Sequence, residues 1–94
     1  MVSQYVKFAS PQGMHMRPAQ ILVTELGRYD STVTIIFDER AIDAKSIMNL
    51  MASCIRRDSE LEIRCEGPDE AEALAAAEAL QHEKIYGSKF PAVN

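Results

Sequence analysis

The sequence predicts an α+β fold, a two-layer open-faced sandwich of order βαββαβα, with a four-stranded antiparallel sheet and three helices on one of its faces. Three observations carry that expectation. Four short segments alternate apolar and polar residues with a period of two, as strands buried on one side do. Longer segments between and after them carry apolar residues at helical spacing, and a short one opens on a capping serine. The chain has 94 residues, 47% hydrophobic and 26% charged, which suits one domain over 1–94 with a single core and little room for a deep enzyme pocket. On pattern alone, a ferredoxin-like relative fits the same order.

The first strand is expected from Gln4 to Ala9, with Val6 and Phe8 on one face and Tyr5 and Lys7 on the other. Ser10-Pro11-Gln12-Gly13 breaks it. Pro18 suits a first helical turn, having no N–H to lose and a preset φ. The residue before a proline is pushed away from helical geometry, so the boundary falls near Arg17, with His15 on or just before the cap. Ala19, Leu22, Val23 and Leu26 recur at i, i+3, i+4 and i+7, and Gly27 suits a left-handed C-terminal cap, giving a helix over roughly 16–27.

Thr32 to Phe37 is rich in β-branched residues, with Val33, Ile35 and Phe37 on one face of a second strand. Asp38-Glu39-Arg40 turns the chain into a short third strand around Ala41 to Ala44. Ser46 is an N-cap, its hydroxyl accepting from a backbone N–H two or three residues on. Ile47, Met48, Leu50, Met51 and Ile55 are too many for one narrow buried stripe, so Leu50 is expected in the core and others at the surface.

Leu61, Ile63 and Cys65 alternate with Glu62, Arg64 and Glu66 in a fourth strand, stopped by Gly67-Pro68. Asp69 is the expected cap of an alanine-rich helix running to about Glu83, with Glu70 and Glu72 in its first turn. Ala73, Leu74, Ala77 and Leu80 form its apolar face. His82, expected on the surface near that helix end, is assigned no chemistry, and the tail over about 84–94 shows little periodicity.

Composition narrows the function classes. Ten Lys and Arg stand against 14 Asp and Glu, a formal net charge of -4, and no basic run is interleaved with aromatics, which argues against nucleic acid as a partner. No apolar segment approaches a membrane-spanning length, and Met1 to Tyr5 has neither the basic nor the long apolar region of a signal peptide, so a cytoplasmic protein without membrane insertion is expected. Cys54 and Cys65 are too far apart for a C-x-x-C redox motif or a zinc site, and both are expected reduced, with Cys65 on an inward strand face. Neither a metal nor a bound cofactor is expected.

The chemistry concentrates in Gly13-Met14-His15-Met16-Arg17-Pro18. The unpaired N–H groups of a helix start disfavour imidazolium, leave a ring lone pair available, and stabilise an anion attached to that ring. Arg17 adds a planar fork of donors matched to phosphate oxygens. A histidine so placed is a nucleophile prepared to accept a phosphoryl group. Alone, the hexapeptide is a weak signal, since a histidine near a helix start is more often a surface residue or a cap.

Its neighbours strengthen it. Gly13 to Ala19, then Ala44-Lys45-Ser46-Ile47-Met48, then Glu66-Gly67-Pro68-Asp69-Glu70-Ala71 together resemble HPr, the histidine-containing phosphocarrier family of the phosphoenolpyruvate-dependent sugar phosphotransferase system, over about residues 2–83. The resemblance implies the HPr-like sandwich and a carrier rather than an enzyme. It implies that His15 takes a phosphoryl group from phosphorylated enzyme I, on Nδ1, and passes it to an enzyme IIA domain, with Arg17 binding the phosphoryl oxygens. Met16, Ile47, Met48 and Met51 would dock partners. In many Gram-positive relatives a serine matching Ser46 is phosphorylated by a dedicated kinase, which implies an HPr kinase/phosphorylase and a transcription regulator as further partners where carbon catabolite regulation operates. The chain departs from the common family pattern at Met16, often threonine, at Asn49, often glycine, and at Cys54 and Asp58, where glycines are common, leaving partner choice open. Two other readings are a regulatory HPr paralogue acting mainly through phosphorylated Ser46 on a transcription factor, and an unrelated α+β binding domain in which His15 is incidental. Retention of His15 weighs against the first of these.

Overall fold

The computed structural model describes residues 1–8, 10 and 12–82, with side chains of the last helix described through Leu80. Ala9, Pro11, the His82 side chain, Glu83 and the tail over 84–94, on which expectations were placed, lie outside the described residues. The elements run β1 (Val2–Lys7), α1 (Met16–Leu26), β2 (Thr32–Phe37), β3 (Arg40–Asp43), α2 (Ile47–Met51), β4 (Glu60–Glu66) and α3 (Glu70–His82). The strands form one antiparallel sheet in the order β1-β4-β2-β3. β4 is thus central, pairing Val2 with Cys65 on one side and Val33 with Cys65 on the other.

Alternation puts Val6, Val33, Ile35, Ile42, Leu61, Ile63 and Cys65 on the covered face of the sheet, all buried. α3 lies over β1 and β4 and sets Ala73, Ala77 and Leu80 in the core, with Leu74 half-buried. α1 packs against α2 and α3, burying Ala19, Leu22 and Leu26, while α2 reaches β3 and buries Leu50. All three helices therefore share one apolar layer, the expected two-layer sandwich.

Several boundaries and caps differ from expectation, each for a physical reason. β1 begins at Val2 rather than Gln4, because its pairing with β4 runs from Val2↔Cys65 to Lys7↔Glu60. Phe8 leaves the strand but stays buried, its N–H donating to Ser59 O (2.9 Å) and its carbonyl accepting from Asp58 N (2.9 Å). The β2–β3 turn has only two residues, Asp38 and Glu39, both left-handed (φ 54 and 63), so Arg40 pairs with Phe37 as the first residue of β3. That is the geometry whose twist matches the strands it joins.

Gly27 is right-handed (φ -64, ψ -13), not left-handed. The helix unwinds instead through three-residue hydrogen bonds, Arg28 N to Glu25 O (3.3 Å) and Tyr29 N to Leu26 O (3.1 Å). α1 starts at Met16 with His15 as its cap, as expected, but Met16 and Arg17 are already helical, so the residue before the proline is not pushed out and Pro18 is the third helical residue. A proline is tolerated anywhere in that turn because none of its N–H groups has an intrahelical partner. Asp69 stands at the expected cap position, directly before α3 with its carbonyl accepting from Ala73 N (3.0 Å), while its carboxylate reaches across the fold. It accepts from Asp30 N (3.0 Å), Ser31 N (2.9 Å) and Ser31 Oγ (2.5 Å), clamping the start of α3 to the chain entering β2.

Candidate functional site

The segment before α1 is held in place by a second loop. Gly13 N donates to Ser10 O (3.1 Å) and Met14 N to Ile55 O (2.8 Å), which lays the chain against residues 55–56. Gly13 is required there twice over. Its φ is +76, and a Cβ would sit 2.9 Å from Ile55 O and 3.2 Å from Arg56 Cα.

His15 follows as the N-cap of α1, extended at φ -148 and ψ -171, with its carbonyl accepting from Ala19 N (3.1 Å). Its side chain makes no capping hydrogen bond, and the first turn of α1 contains no acidic residue. The half-buried His15 lies with Met16, Arg17, Gln20, Ile21, Thr24 and Glu25 along one groove on α1. An imidazole at the positive end of a helix, with a guanidinium two residues on, is an arrangement that attracts and orients an anion. The sequence reading missed Gln20, Ile21, Thr24 and Glu25. Met16, Gln20 and Thr24 are spaced by four, so the stripe opposite the buried Ala19, Leu22 and Leu26 was the available signal.

α2 stands beside α1. Ser46 caps it, Oγ accepting from Asn49 N (3.1 Å), as expected. Lys45 ties the approach to the end of α1 through Nζ to Tyr29 O (2.6 Å). Met48 is 81% exposed, Met16 49% and Met51 41%, while Ile47 is half-buried, so apolar side chains reach solvent on both neighbouring helices. Met16 and Arg17 are thus brought together with His15, and Ile47, Met48 and Met51 form a second group on α2.

Both cysteines are free. Cys65 is buried, and burial pushes its thiol pKa up, which leaves it inert. Cys54 is exposed and, like Asp58, left-handed (φ 63 and 65), so both positions keep a backbone shape that glycine adopts without strain. Among the described residues no group of three His, Cys, Asp or Glu could hold a metal ion, and no helix is long and apolar enough to cross a membrane.

Over residues 2–83 the chain matches the family described as PTS HPr component phosphorylation site. The chain belongs to the HPr family. It is 42% identical over 85 residues to the phosphocarrier protein HPr of Treponema pallidum, covering 90% of this chain and 97% of that one. It is 35% identical over 85 residues to the HPr-like protein Crh of Bacillus subtilis, covering 90% and 100%. Among solved structures, HPr of Thermoanaerobacter tengcongensis superposes with a TM-score of 0.88 at 27% identity, covering 94% of this chain and 99% of that one. An HPr from Bacillus anthracis gives 0.78 at 36% identity, covering 83% and 93%. HPr proteins are phosphocarriers of the phosphotransferase system, carriers rather than catalysts, and this chain has their sheet and helical layer.

Proposed function

We propose that His15 is the phosphoryl acceptor of this carrier, receiving the group from phosphorylated enzyme I and delivering it to enzyme IIA domains in the cytoplasm. One observation carries the reading: His15 caps α1 through its backbone alone, leaving the imidazole uncommitted in the groove that Arg17 also lines. A ring-nitrogen lone pair forms the new bond to phosphorus as the bond to the donor breaks, and the guanidinium and helix N–H groups stabilise the charge carried over. Because the group must leave again, an open groove without a metal suits a carrier better than a closed cage would. Met16, Ile47, Met48 and Met51 supply an adaptable apolar surface on which several partners can dock.

A second reading concerns Ser46. Its hydroxyl lies at the start of α2, beside the proposed docking residues, and 35% identity to Crh favours a regulatory use of this chain. Phosphorylation there by an HPr kinase/phosphorylase would put negative charge onto the docking surface and bias the choice between enzyme I and a transcription regulator. A paralogue working only in that way has no need of a histidine and arginine at the start of α1.

The deciding experiment is intact-mass analysis after incubation with phosphoenolpyruvate, magnesium and enzyme I. One acid-labile phosphate, absent from His15→Ala, is the expected result. Absence of transfer with a competent cognate enzyme I would sink the carrier role of His15 and leave Ser46 as the site to pursue.

A further inference from the structure

We propose that the side chain of Asn49 restrains the Ser46 hydroxyl and sets the rate at which that serine is phosphorylated, an inference that rests on Ser46 being a regulatory seryl site. A serine Oγ has two lone pairs and one proton. Both lone pairs are occupied here, one by the backbone N–H of Asn49 (3.1 Å) and one by its side-chain Nδ2 (3.1 Å). One residue therefore holds the hydroxyl from two directions.

Phosphorylation needs one of those lone pairs. The Oγ electron pair forms a bond to the γ-phosphorus of a nucleoside triphosphate, the bond to the bridging oxygen breaks, and a nucleoside diphosphate leaves with that electron pair. The hydroxyl proton passes to a base of the kinase. The backbone N–H is fixed by the first turn of α2, but the amide is on a rotatable, exposed side chain. The amide bond is thus the one that must open before attack.

The contact is not needed to build the helix. The backbone N–H alone supplies the N-cap bond, and alanine has a higher helix propensity than asparagine. Asn49→Ala therefore frees the nucleophile while keeping the cap. Asn49 is a positioning residue, and its effect belongs in the phosphoryl-transfer step rather than in recognition of the chain.

The test compares wild type, Asn49→Ala and a Ser46→Ala blank as full chains, with ATP, magnesium and the HPr kinase/phosphorylase of a Gram-positive relative. Releasing one neutral hydrogen bond should raise kcat about two- to tenfold, with KM for the chain changed by less than about twofold. Transfer to His15 from enzyme I should be unchanged. An equal or lower kcat in Asn49→Ala would overturn the inference, as would a change confined to KM, which would mark Asn49 as a docking contact. If neither wild type nor Asn49→Ala acquires seryl phosphate, the reading of Ser46 itself fails and takes the inference with it. Seryl phosphate on both at one rate defeats only the role of Asn49.

Discussion

The N-termini of α1 and α3 both begin with a turn of backbone N–H groups without intrahelical partners, and the side chains around the two are used in opposite ways. At α3 acidic side chains are committed to partners within the fold. Glu70 and Glu72 occupy the first turn, Glu70 Oε1 accepts from Gly67 N (3.1 Å), and Asp69 accepts from Asp30 and Ser31. At α1 the first turn has no acid, and His15 contributes its carbonyl but not its ring. A helix start that only supports the fold closes its electrostatics once. One that serves a group arriving and leaving, the role proposed for α1, has to keep them open.

The comparison is broken most directly by exchanging losses. His15→Ala should abolish the acid-labile phosphate and leave the thermal midpoint unchanged, because the ring makes no capping bond in the native fold. Asp69→Ala should lower the midpoint and leave phosphate acceptance intact, because its carboxylate accepts from Asp30 and Ser31, away from the start of α1. If both variants lost stability together, the two helix starts would not be doing different jobs.

Gly13→Ala tests the loop that presents His15. It forces a side chain into a left-handed residue and a Cβ to 2.9 Å from Ile55 O, at a combined cost of about 2–4 kcal/mol. Urea denaturation should show that loss, and phosphoryl transfer should slow in the fraction that remains folded. Met48→Asp sharpens the contrast from the partner side. With 81% of Met48 already in water, the fold should hold while KM for enzyme I rises about tenfold, the scale of one lost anchor. A large fall in thermal stability would instead place Met48 in the core.

How much of this was legible in the sequence follows from how locally each feature is determined. The four strands and their inward faces were readable because period-two alternation survives in any twisted sheet with one covered side. Ser46 was readable as a cap because its partner is three residues away. The partners of the Asp69 carboxylate were not, because they lie on a segment 38 residues distant in sequence. Gly27 misled because a glycine permits a left-handed residue without requiring one. Cys54 carries left-handed backbone in a residue type that gives no sign of it, and Asp58 in one that only tolerates it. His15, Arg17 and the exposed Met16, Met48 and Met51 could be named from the sequence as individual residues. The groove that joins His15 to Gln20 and Thr24 needed the helix to be built first.

The smallest expected effect is also the most diagnostic of the α3 clamp. The Ser31 hydroxyl foremost, and then the Asp30 N–H, hold the Asp69 carboxyl below the ordinary carboxylate range, and Gly67 N–H does the same for Glu70. A carboxyl depressed in the folded state binds protons less readily there than in the unfolded chain. Its contribution is therefore fully present above the unfolded value of about 4 and is lost as pH falls through the lower folded value. Both groups are solvent-accessible, so salt should weaken the effect. Asp69→Asn preserves the shape while removing that titration and its charge. Urea midpoints followed downward from about pH 6 should fall more steeply below about pH 4 for wild type than for the variant, since only the wild type loses the clamp's charge on acidification. Parallel profiles would mean that Asp69 holds Ser31 by geometry alone, and the contrast between a closed start at α3 and an open one at α1 would then rest on Glu70.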